Sequence, residues 1–165
     1  MNRNRIAQLA GAVAFFITAA VGHAAAPLVN VDRHGVILDG YDAVAFFTDH
    51  HPVKGDAAFN SQFGGATYYF ASAEHKKLFD QEPAKYAPQF GAFCAYAVSR
   101  GRTAPIDVDT FSIVDGRLLL QHNAKAVRLW STDVKSNLGK ADKYWPRVEG
   151  HDGKQIDLDP GDSKD

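Results

Sequence analysis

The stretch GGATYYFASAEHKKLF, residues 64–79, predicts a hairpin and then a helix, and this succession decides the fold class. The Gly-Gly pair that opens it can adopt positive φ at both central positions of a tight turn, so residues 58–71 are predicted to form a β-hairpin. Ser72 is a natural N-cap, and Glu74 lies in the first turn, near the positive end of the helix dipole. A helix over residues 72–81 is therefore expected directly after the hairpin.

The rest of the chain continues this alternation of short strands and helices. Asp115-Gly116 is the strongest hairpin signal in the sequence. Asn123 is predicted to cap a long helix that ends near Tyr144, with a break expected at Gly139. The other predicted elements are a strand at 36–38, a turn or helix at 41–47, a helix at 83–86, a strand or extended segment at 91–99, and hairpin strands at 111–114 and 117–121. Together they predict an α+β fold: one small domain with antiparallel hairpins, short helices and a long C-terminal helix packed on the sheet.

The two ends of the chain differ from this central region. Residues 1–26 carry two early arginines, an apolar run and a small-residue end, which is the pattern of a secretory signal peptide. The run is shorter than a membrane span requires, so we expect a periplasmic or secreted protein with no membrane span in the mature chain. The folded domain is predicted over residues 27–148. Residues 149–165 are acidic and poor in apolar side chains, which predicts a disordered tail.

The composition excludes several classes of function. Lys and Arg number 18 and Asp and Glu number 19, so the chain lacks the basic excess of a nucleic-acid-binding protein. A single cysteine excludes an intrachain disulfide and a four-cysteine zinc site. No nucleotide-binding loop, nucleophile elbow or zinc-protease motif is present in the sequence. A metal ion or small ligand remains the expected partner, and nothing in the sequence indicates the oligomeric state.

Cys94 is the first candidate for a chemical role, because a lone thiol in an oxidising compartment is oxidised unless it is buried or bound. It is interpreted as a metal ligand or nucleophile, or else as a small buried hydrophobe. His75 shares a helix face with Leu78 and Phe79, which turns its imidazole toward the core. A hydrogen-bonded imidazole at the core edge is the alternative to a ligand. Thiolate and imidazole together suit copper or zinc.

His122 and Tyr41 are two further candidates. His122 ends the second predicted hairpin, where it is either a surface residue at a strand end or, if it turns inward, a third ligand. Tyr41 precedes Asp42, and simple turn chemistry is the alternative to a position beside the site.

Several segments together resemble the secreted, single-domain YHS domain proteins: YDAVAFF (41–47), GGATYYFASAEHKKLF (64–79), EPAKYAPQFGAFCAYAVSRG (82–101), IVDGRLLL (113–120) and ADKYWP (141–146). This resemblance implies metal handling, since related domains carry D-P-V-C and Y-Y-F-C-S-x-x-C elements implicated in heavy-metal binding. In this chain Ala45 and Ala71 stand at two of those cysteine positions, and His75 stands at the third. Cys94 matches the cysteine of a G-G-Y-C-A-Y-A element, and His122 stands where similar proteins often have tyrosine.

Three hypotheses follow from these residues. The first is a periplasmic, non-enzymatic binding domain that holds copper, or failing that zinc, through Cys94 and His75 with His122 or Tyr41 nearby. The second is a cofactor-free structural or partner-binding module with a degenerate metal site. The third is a thiol-dependent enzyme in which Cys94 is the nucleophile and His75 its base. The first and third require the sulfur and the His75 ring to lie side by side.

Overall fold

A computed structural model describes residues 26–162. The predicted signal peptide, except for its last residue, lies outside the described residues. The chain has the predicted α+β architecture, with two separate two-stranded antiparallel sheets and a set of mostly short helices. Within the described range, no helix is both long and apolar enough to cross a lipid bilayer.

The elements follow one another with short connections. In chain order they are α1 (Ala45–Thr48), β1 (Asp56–Phe63), β2 (Ala66–Phe70), α2 (Ala73–Gln81), α3 (Pro83–Tyr86), α4 (Ala95–Ser99), β3 (Asp107–Val114), β4 (Arg117–Gln121), α5 (Ala124–Ser131) and α6 (Val134–Gly150). Two 3₁₀ turns, Leu38–Gly40 and Gln89–Ala92, precede α1 and α4.

Residues 64–79 fold as their sequence predicts. β1 and β2 form an antiparallel hairpin, and Gly64 and Gly65 have φ values of 56° and 83° in the turn between them. The Ser72 side chain accepts a hydrogen bond from the backbone N–H of His75 and so caps α2. The second hairpin, β3 with β4, and the short helix α3 are confirmed as well.

Strand β4 joins the two main parts of the core. Leu118 and Leu120 contact the cluster that holds Phe70 and Phe79, whereas Leu119 contacts a second cluster with Trp130. Successive side chains of a strand point to opposite faces. Both faces of β4 are therefore buried, which explains its uninterrupted apolar sequence. α6 contributes to the second cluster and packs against α4.

The segment before and after Cys94 differs from the prediction. The strand or extended segment predicted at 91–99 is wrong: the structure has a 3₁₀ turn and then the helix α4. Phe90, Gly91 and Ala92 all have positive φ, so the chain reverses direction there instead of extending. The predicted strand at 36–38 is also reduced, to isolated bridges at Val36 and Ile37.

The long C-terminal helix is divided at a different place from the one predicted. α5 ends at Ser131 and α6 begins at Val134, while Gly139 lies inside α6. Asp133 accepts a hydrogen bond from the backbone N–H of Ser136 and caps α6. The Asn137 amide donates to the Leu129 and Trp130 carbonyls, which satisfies two acceptors at the end of α5. Side-chain capping, and not glycine, therefore sets the break.

Part of the acidic tail is placed against α6, where composition alone predicted disorder. Ile156 is buried with Tyr144 and Val148. The Asp162 carboxylate accepts hydrogen bonds from the Tyr144 hydroxyl and from Lys143. Burial of the Ile156 side chain and the contact with Lys143 of α6 hold this segment. Neither partner can be recognised from the composition of the tail alone.

Candidate functional site

Cys94 is the N-cap of α4 and is only 1% exposed. Its thiol lies 3.4 Å from the Gln121 side-chain oxygen, and its sulfur accepts a hydrogen bond from the Ala97 backbone N–H at 3.5 Å. Burial raises the pKa of the Cys94 thiol, and the backbone N–H groups of Ala97 and His122 act in the opposite direction. The Cys94 thiol is therefore shielded from solvent and lies beside backbone N–H donors.

Gln121, at the end of β4, positions the Cys94 loop. Its Oε1 accepts a hydrogen bond from the Tyr96 backbone N–H at 3.0 Å in addition to the thiol contact. Gln121 is 1% exposed, and its Nε2 has no hydrogen-bond partner among the described residues. Gln121 is not among the candidates predicted from the sequence. The available signal was a polar side chain directly after the apolar run Leu118–Leu120.

His122 comes next in the chain and has one ring nitrogen occupied. Its Nδ1 lies 3.0 Å from the Pro105 carbonyl oxygen. A carbonyl only accepts, so Nδ1 carries the proton and the lone pair is on Nε2. A backbone carbonyl on the second ring nitrogen is the usual support of a histidine that binds a metal.

Cys94 and His122 line the same cavity, whose volume is about 520 Å³. Arg102, Asn123 and Lys125 also line it. Its described lining contains no Asp or Glu. Sulfur, imidazole and two basic side chains thus converge on one cavity, which lies between α4, β4 and the start of α5.

His75 lies in a different environment. Its Nδ1 donates to the Asp42 carboxylate at 2.7 Å, and its Nε2 lies 3.5 Å from the Thr48 hydroxyl oxygen. Asp42 is fully buried and also accepts hydrogen bonds from the backbone N–H groups of Val44, Ala45 and Ala71. The carboxylate of Asp42 therefore connects α1, the end of β2 and α2.

Tyr41 is also separate from Cys94. It is half-buried, packs against the larger core cluster, and has the Lys54 ammonium 4.6 Å from its ring centroid. Neither Tyr41 nor His75 lines the cavity at Cys94, and neither shares a hydrogen-bond partner with Cys94 in the described part of the chain. Of the four sequence-predicted residues, the structure brings together Cys94 and His122 only.

The sequence profile of the YHS domain matches residues 44–90. This part of the chain is similar to YHS domains. No curated protein and no solved structure shows significant similarity to the chain. The matched residues run from α1 to the turn before α4, so they include His75 but end before Cys94 and His122.

YHS domains are associated with metal binding, and that association fits a metal-binding role for this chain. The residues at the resembling ligand positions do not fit a metal site here. Ala45 and Ala71 have no donor side chain, and their backbone N–H groups point to Asp42. Residues 26–162 hold no group of three or more His, Cys, Asp or Glu side chains suited to a metal ion. The donor pair with a free cavity, Cys94 and His122, lies outside the YHS match.

Proposed function

We propose that this chain is a non-enzymatic binding domain for a soft or borderline metal ion, which it holds through Cys94 and His122. The observation that carries the proposal is that a thiol and an imidazole with an available Nε2 line one cavity. Of the other expected ligands, His75 is hydrogen-bonded to Asp42, and Tyr41 does not line this cavity.

Copper is favoured over zinc by the number and softness of the donors. Structural zinc sites use four protein ligands, and Cys94 and His122 supply two. Thiolate sulfur selects copper(I) among the available soft ions. Binding requires loss of the thiol proton, so the affinity should fall as the pH falls.

An extracytoplasmic location, the periplasm or the exterior, belongs to the same proposal. It rests on the pattern of residues 1–26, and the mildly acidic remainder of the chain is compatible with it. Mass spectrometry of the protein from the periplasmic fraction tests it. A chain that begins near residue 25 or 27 supports the proposal, and an intact chain from the cytoplasm contradicts it.

The metal proposal is tested by copper(I) competition with a chromophoric chelator under anaerobic conditions. We expect Cys94→Ala to abolish binding and His122→Ala to weaken it by about tenfold or more, which corresponds to the loss of a strong polar contact. His51→Ala is the matched control, because His51 is exposed and does not line the cavity, and it should retain the wild-type affinity. Unchanged binding in Cys94→Ala would overturn the proposal.

A cofactor-free module is the second candidate, and the environment of Asp42 favours it. The YHS positions Ala45 and Ala71 now surround a carboxylate that four protein donors satisfy, so this part of the fold is complete without an ion. Under this alternative the Cys94→Ala, His122→Ala double variant folds and behaves as the wild type does, and no copper or zinc binds above micromolar affinity.

A further inference from the structure

The cavity at Cys94 carries two basic side chains without a countercharge. Arg102 and Lys125 line it and are exposed. Within residues 26–162, neither forms an ion pair. The described lining has no carboxylate, so none of the described residues that form the cavity neutralises its positive charge.

Lys125 stands where its charge is unfavourable to the helix that carries it. It lies in the first turn of α5, which begins at Ala124 after the Asn123 cap, and this turn contains no acidic residue. The N-terminal end of a helix has a partial positive charge, so a lysine there is destabilising by itself. The same N-terminal end faces the cavity, because Asn123, Lys125 and Ala126 line it.

We propose that this cavity binds a small molecule through an oxyanion group, a carboxylate or a phosphate, held between Arg102 and Lys125. The guanidinium group matches the two oxygens of such a group in a bidentate arrangement, and the ammonium adds a second charge. The volume of about 520 Å³ lies within the range of small-molecule sites. A bound anion also favours binding of the proposed metal ion, because its negative charge offsets the two positive charges that repel a cation.

The inference does not require the metal, and the test begins with metal-free protein. Inorganic phosphate and citrate are titrated into the protein by calorimetry at constant ionic strength. We expect saturable binding of at least one probe, weakened about tenfold or more in Arg102→Gln and in Lys125→Gln, as expected for a hydrogen bond to a charged group. Binding of phosphate alone identifies the ligand's oxyanion as a phosphate, and binding of citrate alone identifies it as a carboxylate.

Arg128→Gln is the matched control, because Arg128 is exposed on the same helix but does not line this cavity. It should change the affinity by less than about twofold, within the scatter of surface substitutions. Equal weakening by all three variants, or no saturable binding of either probe, overturns the inference. If copper binds but neither anion does, only this inference is wrong. If an anion binds but copper does not, only the proposed function is wrong.

Discussion

The Asp42 carboxylate and the His75 ring are joined by a 2.7 Å hydrogen bond, although 33 positions separate them in the chain. His75 lies within the YHS match, where the resemblance implied a metal ligand, and Asp42 lies two positions before the match begins. Asp42 is fully buried, and its carboxylate accepts hydrogen bonds from the His75 ring and from the backbone N–H groups of Val44 and Ala71. In this chain the Asp42–His75 pair therefore links the start of α1 to α2.

Replacement of Asp42 should destabilise the fold. In Asp42→Asn, an amide N–H would face the Ala71 N–H or the His75 ring, so at least one buried donor loses its acceptor. We expect a loss of about 2–4 kcal/mol in the free energy of unfolding. Urea denaturation followed by circular dichroism measures it. Asp49→Asn, on an exposed residue, should change the free energy of unfolding by less than about 0.5 kcal/mol. Equal effects of the two substitutions would contradict the structural role of the Asp42–His75 pair.

Gln121 should be more important for stability than its position at a strand end indicates. Gln121→Ala removes the acceptor of the Tyr96 N–H and the partner of the Cys94 thiol, and it leaves a small void. A loss of about 2–3 kcal/mol is expected. Gln81→Ala, on an exposed helix residue, is the control and should have little effect in the same denaturation experiment. A near-neutral Gln121→Ala would show that the loop at Cys94 holds its position by other contacts.

The Cys94 thiol should react slowly in the folded protein. Burial raises its pKa and limits access, and the thiolate is the reactive form. Alkylation by iodoacetamide at about pH 8 should be at least about tenfold slower than in denaturant, and its midpoint should lie above the usual value of about 8.5. Cys94 is the only cysteine, so mass spectrometry reports this site alone. Rapid native alkylation with a midpoint below that value would contradict the burial of the thiol and would indicate a thiolate activated by a group other than His75.

The docking of residues 151–162 on α6 should depend on pH. The hydrogen bond from Lys143 lowers the pKa of Asp159, and the hydrogen bond from Tyr144 lowers the pKa of Asp162. A carboxylate with a lowered folded-state pKa stabilises the docked segment above the unfolded value of about 3.9, and this contribution is lost as the pH falls through the folded value.

Methyl NMR signals of Ile156 and Leu158 report this docking. They should keep their neutral-pH positions down to about pH 4 and move toward random-coil positions below it. Asp162→Asn should loosen the segment already at neutral pH, whereas Asp152→Asn, whose side chain is exposed, should not. Docked signals that persist at about pH 2 would contradict the role of these carboxylates.

The two hairpins and the capped helix α2 could be predicted because their signals are local. The Gly64-Gly65 turn and the Ser72 cap act on residues a few positions away, and both are confirmed. The break before α6 was placed wrongly because Gly139 was weighed by propensity alone. The Asp133 cap and the Asn137 amide, which closes the end of α5, decide it instead.

The α+β class, the hairpin turns, the starts of α2, α3 and α5 and the shortlist of candidate ligands could be read from the sequence, because these depend on residue type and short spacing. The packing of the chain sets which candidates lie together: Cys94 and His122 line one cavity, and His75 contacts Asp42 elsewhere. The physical reason is that packing on the two faces of β4 and the burial of the Asp42 carboxylate bring together residues far apart in the chain. No local pattern encodes the distance between them.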